Sequence, residues 1–464
     1  MSNSRLNLSG RELKIDSNQW PCPNDILKRY EEIENLSPVL LHAQSPLVMA
    51  IDAPWGAGKT TFIRLWQRYL DSQSKTYLNI NAWESDFTEE PLLPLLSALD
   101  SWVKENKKSE RTKKALKIAS KMIPAVVNAA FKLGTLGALD IDKEYEKVTA
   151  DLAGELGGRA AEGVLGSFNL QQEAMVVFKN ALEEIVSELP EGQENLVVFI
   201  DELDRCRPTY AINLLERIKH LFDIEGIVFV LSMNREQLSH SVQAVYGNNF
   251  DGNQYLKRFI DLEYHLKKPD REDYINTLLR PDFESQYLSE KRKSKEVEEA
   301  RYVMYWLADR YEYGFRDLNQ LIARFRLILR SIPSNQYTDS PVLVVMLFLW
   351  QSNRDLYTRF IGDKTIFNEV AFELLGGEPN TVYMPDCWGW AMGYILAAIS
   401  DEVDLEEIKK TWLEYDELEN DFSQNSHQMN HFWNVVKSPD LYQRTNTILK
   451  STIERIELFR RIEL

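Results

Sequence analysis

Short apolar runs and amphipathic stretches alternate along the first 270 residues, and this alternation predicts the core elements. Residues 47–52 (LVMAID) read as a buried strand, 53–58 (APWGAG) as a small-residue loop, and Lys59-Thr60-Thr61 as the opening of an amphipathic helix. Residues 77–82 give a second strand that turns polar at its end, in Asn79 and Asn81. A helix over 91–103 repeats Leu92, Leu93, Leu95, Leu96 and Leu99. Residues 196–200 (LVVFI) are apolar without interruption, which predicts a strand buried on both faces, and 226–233 (GIVFVLSM) is another. Residues 253–266 join a short helix to an alternating strand, and Asp270 caps a further helix. Upstream, residues 1–19 read as a polar arm, followed by a helix with Asn24 as N-cap that reaches about residue 35. Ile26, Leu27, Tyr30 and Ile33 lie along one face of it, and Ser37-Pro38 and Ser45-Pro46 mark the loop into the first strand. Strands alternating with helices predict an α/β core around a parallel sheet.

Beyond residue 270 the pattern is helical. Residues 340–361 place Val342, Leu343, Val345, Met346, Phe348, Leu349 and Trp350 all round one helix, which implies burial. Residues 388–399 are a further apolar stretch, and 401–421 are strongly acidic, a solvated helix face or a dock for a basic partner. Three middle stretches break the strand–helix alternation. Residues 104–121 are a basic run, and 151–168 are rich in Gly and Ala, which predicts close packing against another element. Residues 122–141 admit three readings: a membrane span, an interfacial helix, or a helix facing the rest of the protein or a partner. Lys132 interrupts the run and 122–131 is too short to span alone, so the last reading is preferred and membrane association is not expected.

Composition narrows the class. A chain of 464 residues implies two to three packed units, and 44% hydrophobic with 27% charged residues is ordinary for a globular protein. The net charge of −17 argues against broad nucleic-acid binding while leaving a local basic face open. Cys22, Cys206 and Cys387 form no Cys-x-x-Cys pair, hence no disulfide framework or zinc cluster, as expected in the reducing cytoplasm. The first residues hold no apolar run of a secretory signal. His427 and His431 have metal-ligand spacing, yet no third ligand follows; no Ser-His-Asp or Cys-His arrangement is readable.

The segment 46–61 (PLVMAIDAPWGAGKTT) carries the strongest chemistry. A strand, a Gly-rich loop and a helix opening on Lys-Thr are the parts of a phosphate-binding loop. Ala53, Pro54, Trp55, Gly56, Ala57, Gly58, Lys59, Thr60 and Thr61 would line a polyphosphate with backbone N–H groups and the helix N-terminus. Lys59 would reach the β- and γ-phosphates, and the Thr60 hydroxyl would face Mg²⁺. The match to G-x-x-x-x-G-K-[ST] is incomplete, because Ala53 stands where the first glycine belongs. A strand, turn and helix joined without a ligand is the other reading. The segment 195–208 (NLVVFIDELDRCRP) ends a buried strand in Asp201 and Glu202. Asp201 would hold Mg²⁺ through water and Glu202 would orient or deprotonate the attacking water; an acidic cap on the next helix is the alternative. Arg205 and Arg207 are expected to brace this loop by ion pairs. Asn234 either bonds the γ-phosphate or lytic water, or caps the following helix. Lys257 and Arg258 are cations within reach of a nucleotide, the chain's own or a neighbour's.

In order, APWGAGKTT at 53–61, NAW at 81–83, VVFIDELDRCRP at 197–208, MNREQL at 233–238 and YLKRFI at 255–260 resemble a KAP-family P-loop NTPase, a branch close to the AAA+ and STAND ATPases. GFRDLNQLIARFRLIL at 314–329 and the apolar stretch 342–361 continue the resemblance, which covers roughly residues 25–361. It implies a sheet with the 226–233 strand between those of the phosphate loop and Asp201. It implies Arg258 as an arginine finger, in cis or from a neighbour, and Arg316 as a cationic second sensor on a helical lid; a surface arginine is the other reading of Arg316. Asp-Glu at 201–202 departs from the family's frequent Asp-Asp. The division expected is an arm (1–24), a P-loop NTPase core (25–270) with a helical insertion (90–190), a helical lid (271–335) and an all-α C-terminal domain (336–464). The function implied is a Mg²⁺-dependent ATPase whose ATP binding and hydrolysis drive a conformational or assembly switch, with a weaker pointer to bacterial defence against phage. Self-association or a partner effector protein is expected. An ATP-holding scaffold with little turnover and a nucleic-acid-stimulated ATPase are the alternatives.

Overall fold

The computed structural model describes residues 20–21, 25, 27–88, 91–105, 176, 178–219, 224–267, 270–279, 293–332, 339–375, 386–416, 432, 436 and 439–459. The stretches 106–175 and 417–431 lie outside them, and with these most of the basic run, the apolar stretch 122–141, the Gly/Ala-rich segment, His427 and His431. The chain falls into two compact units, the first ending at Lys268 and the second beginning at Pro269.

The first unit is a five-stranded parallel sheet with helices on both faces. Its strands are β1 (Leu47–Asp52), β2 (Tyr77–Asn81), β3 (Leu196–Asp201), β4 (Ile227–Met233) and β5 (Leu262–His265), in the spatial order β2-β3-β4-β1-β5. The strand of residues 227–233 therefore lies between those of the phosphate loop and Asp201, as the resemblance implies. Alternate side chains feed opposite cores, the period of a strand buried on both faces. Val48, Ala50, Val198, Ile200, Phe229 and Leu231 join one core, which α3 (Leu92–Glu105), α4 (Pro208–Lys219) and α5 (Arg235–Tyr246) cover with Leu95, Leu99, Ile212, Leu215 and Leu238. Met49, Ile51, Val197, Phe199, Val228 and Val230 join the other, covered by α1 (Tyr30–His42) and α2 (Lys59–Ser72) with Leu40, Phe62, Ile63 and Trp66.

Helix α1 differs from the sequence expectation. It starts at Tyr30, whose N–H donates to the Asp25 carboxylate at 3.0 Å, and it runs through Pro38 to His42. Proline removes one helix bond. The Ser37 hydroxyl donates to Ile33 O at 2.6 Å, and buried Leu40 and Leu41 draw the turn beyond Pro38 into the core. Asn195 then ties the end of the helix down, donating to Leu40 O and Ala43 O at 3.0 Å each.

The second unit is helical. It holds α7 (Arg271–Leu278), capped by Asp270, then α8 (Lys293–Arg310), α9 (Phe315–Ser331) and α10 (Ser340–Ser352). Helices α11 (Arg354–Gly362), α12 (Phe367–Leu375), α13 (Asp386–Ala398), α14 (Leu405–Asp416) and α15 (Pro439–Phe459) follow, α6 (Gly252–Leu256) being a short helix of the first unit. Helix α10 is buried from Ser340 to Trp350, as its apolar circumference requires. The single helix expected over 340–361 is two, because Asn353 leaves helical geometry and its side chain accepts Leu356 N–H at 3.1 Å as the N-cap of α11. Among the described residues, no helix is long and apolar enough to cross a membrane.

Candidate nucleotide site

Parallel strands bring their carboxyl ends to one edge of the sheet, and the two motifs read from the sequence meet there. β1 delivers Ala53 into the loop and β3 delivers Asp201. Gly56 (φ 80°) and Gly58 (φ 89°) take the left-handed conformations that curl the loop and seat Gly58 as N-cap of α2. Ala53 needs no such angle: it is absent from the positive-φ residues, and its N–H donates to Met233 O at 3.3 Å. The departure from glycine at this position therefore carries no backbone strain.

Lys59, the first residue of α2, is 8% exposed, and its Nζ donates to Ala53 O at 2.7 Å and to Pro54 O at 3.4 Å. Asp204 Oδ2 lies 3.7 Å from the same ammonium. Burial pushes the Lys59 pKa down from the usual lysine range, while Asp204, then Asp201 and Asp52, push it back up. Thr60 and Thr61 follow, half-buried in the first turn.

Asp201 is buried, and one of its oxygens accepts Glu202 N–H at 2.8 Å. Glu202 sits at φ 63°, a left-handed angle costly for a residue with a side chain, at the point where β3 breaks into the tight turn Leu203–Arg205. Its carboxylate is ion-paired to Arg205 at 2.7 Å and accepts from Asn81 Nδ2 at 3.2 Å. Strand register explains the second contact, since Asn81 on β2 is opposite Asp201 on β3. Arg205 also lies over the Trp83 ring, 5.6 Å from its centroid, and Arg207 pairs with Asp86 at 3.7 Å. These arginines hold the Glu202 turn against the loop after β2, as ion pairs were expected to do.

Asn234 is the N-cap of α5: its side-chain oxygen accepts Gln237 N–H at 3.2 Å. The capping reading is thus the one present, and the amide N–H₂ remains a donor by its chemistry. Arg258 lies in the turn between α6 and β5. Asp261, three residues on, bonds to both backbone groups of Val48 at the start of β1, whereas the loop leaves the end of that strand. The rise of the strand alone separates the two by about 16 Å. Arg258 is exposed, 5.8 Å from the Tyr255 ring centroid, and Lys257 beside it is exposed as well. Arg316 belongs to the second unit, exposed in the first turn of α9.

Two residues at this edge escaped sequence reasoning. Asp204 touches Lys59 and accepts the Trp55 indole N–H at 2.5 Å; its signal was the i, i+3 spacing from Asp201 on a tight turn. Asn81 was readable as a polar strand end, but its partner depends on register. Cys206, also close by, is no nucleophile, for burial first and then Asp86, Asp204 and Glu202 push its thiol up to about 12. Asp52, Glu263 and His265 offer ligand atoms within 4.8 Å of one another, but Arg235 pairs with Glu263 and donates its N–H to Asp52 at 2.8 Å. They form an ion-paired cluster at the strand ends.

A hydroxyl (Thr60) and a carboxylate (Asp201) are oxygen donors, the kind that suits a hard cation such as Mg²⁺. Around Lys59 the buried carboxylates of Asp201, Glu202 and Asp204 outnumber the cations Lys59 and Arg205, a local excess of negative charge that favours entry of a divalent cation.

Residues 29–332 match the model of the KAP family P-loop domain. The chain is also similar to a protein of Escherichia coli (strain K12) named phage T7 exclusion protein, 23% identical over 256 residues, which is 52% of this chain and 33% of that protein. The chain thus spans about a third of the length of this relative.

Proposed function

The chain belongs to the KAP family of P-loop NTPases, and from that premise we propose that it binds ATP with Mg²⁺ and hydrolyses it as a conformational or assembly switch. The observation that carries the reading is the meeting of Lys59, Asp201, Glu202 and Asp204 at one sheet edge beside a loop shaped by Gly56 and Gly58. In the proposed reaction Lys59 draws on the β- and γ-phosphates, and Thr60 and Asp201 hold Mg²⁺, which supplies charge neutralisation. Glu202 orients the attacking water and takes its proton, held in place by Asn81 and Arg205. The Asn234 amide donates toward the γ-phosphate. Arg258 completes the charge from a neighbouring copy.

Steady-state phosphate release tests the reading. Lys59→Ala abolishes ATP binding, because the lysine pairs with phosphate in the ground state. Glu202→Gln binds ATP and traps it unhydrolysed, because the carboxylate acts on water. Turnover of Glu202→Gln at the wild-type rate removes Glu202 from the mechanism. For the biological role, the name of the similar E. coli protein supports a part in excluding phage. Cells expressing the wild-type chain should lower phage plaque counts, and cells expressing Lys59→Ala at equal level should not.

A further inference from the structure

Asp204 joins the lysine of the phosphate loop to the protein surface through one carboxylate oxygen. Its Oδ2 accepts the Trp55 indole N–H at 2.5 Å and lies 3.7 Å from Lys59 Nζ. Lys59 and Asp204 are buried, whereas Trp55 leaves 53% of its surface to solvent. The two ends of this linkage differ in stiffness. Asp204 rides on the turn Leu203–Arg205, fixed to β3 by Arg205 N–H donating to Glu202 O at 3.1 Å. Between Trp55 and Lys59 lie Gly56 and Gly58, the residues whose backbone re-aims most easily, so Trp55 can move while β1 and α2 stay in place.

The charges set this oxygen in competition with phosphate. A buried anion stands beside the ammonium that a polyphosphate must engage, and at such separations in a protein interior the two anions repel by far more than thermal energy. A phosphate that takes Lys59 strips Asp204 of its counter-charge while the carboxylate is still buried. The remaining partner on that oxygen is the Trp55 N–H. We infer that Asp204 is a positioning residue that exchanges Lys59 with the incoming phosphate and thereby passes phosphate occupancy to Trp55 at the rim of the loop. This rests on the nucleotide reading above and adds to it the route by which the buried phosphates reach an exposed aromatic surface.

Tryptophan emission reads the linkage directly. The chain has 11 tryptophans, so the Trp55 component is taken as the difference between the wild-type protein and Trp55→Phe. ATP with Mg²⁺, shown to bind by calorimetry, changes this component in the wild-type chain. In Asp204→Asn the amide oxygen still accepts the indole N–H but carries no charge to exchange, so ATP binds and the change falls to less than half. Asp204→Ser, smaller and uncharged, serves as the second variant if Asn does not fold, and it too loses at least half of the change. A full-sized change in the uncharged variant overturns the inference. So does an unchanged Trp55 component in wild-type protein that binds ATP in the calorimeter, a result that leaves the nucleotide reading standing. Absence of ATP binding by the wild-type chain overturns that reading and the inference with it.

Discussion

At the scale of residues, the site depends on charges held out of water. In the proposed site Lys59 would bind phosphate as an ammonium, and burial lowers its pKa from the ordinary lysine value. The sign follows: below the lowered pKa the ammonium is fully formed and ATP affinity is flat, and above it affinity falls by up to tenfold per pH unit. The decline therefore begins at a lower pH than an ordinary lysine gives. Calorimetric titration of ATP between about pH 7 and pH 10 checks this, with Lys59→Arg remaining flat because guanidinium stays charged. Asn81 supports Glu202 through one hydrogen bond of 3.2 Å. Asn81→Ala should lower kcat about tenfold with little effect on KM, since the bond orients the group proposed to act on water. Lys59 and Glu202 were legible in the sequence because each follows a local signal, a Gly-Lys-Thr turn and an acidic end to an apolar run. Asp204 and Asn81 carried weaker signals, a spacing from Asp201 and a polar strand end, because their partners come from a tight turn and from strand register.

At the scale of elements, strands were easier to read than helix ends. β1, β3 and β4 are buried on both faces, so their apolar runs in sequence mark them almost to the residue. Helix boundaries depended on contacts made later in the chain. Pro38 reads as a stop, yet Leu40 and Leu41 have core positions that carry α1 past it. Residues 340–361 read as one helix, yet Asn353 finds a cap and starts another. Close packing has the same hidden character at Gly252, which opens α6. A Cβ built there would lie 2.5 Å from Ser239 O on α5, a backbone atom that cannot give way. Gly252→Ala should therefore destabilise the protein by about 1–3 kcal/mol, the usual cost of overpacking, measured by chemical denaturation. The same change pushes α6 outward and displaces the turn that carries Lys257 and Arg258, so it tests their placement as well.

At the scale of the whole molecule, the parallel sheet puts Asp261, three residues after Arg258, and the phosphate loop at opposite ends of β1. Asp261 is bonded at Val48, and the loop begins after Asp52. The rise of β1 puts about 16 Å between those levels, which favours Arg258 serving a neighbour's nucleotide over its own. A role in trans would need a second copy arranged head to tail, with the start of one sheet facing the phosphate edge of the next. The sequence read Lys257 and Arg258 as cations within reach of a nucleotide, the chain's own or a neighbour's; the strand direction favours the neighbour's. Arg258→Ala and Glu202→Gln proteins should each lack turnover alone. In a 1:1 mixture, random assembly gives about a quarter of interfaces an intact Glu202 on one side and an intact Arg258 on the other, and phosphate release should recover to about a quarter of the wild-type rate. Subunit exchange is established separately by energy transfer between labelled copies. Exchange without any recovery would exclude Arg258 as a finger in trans.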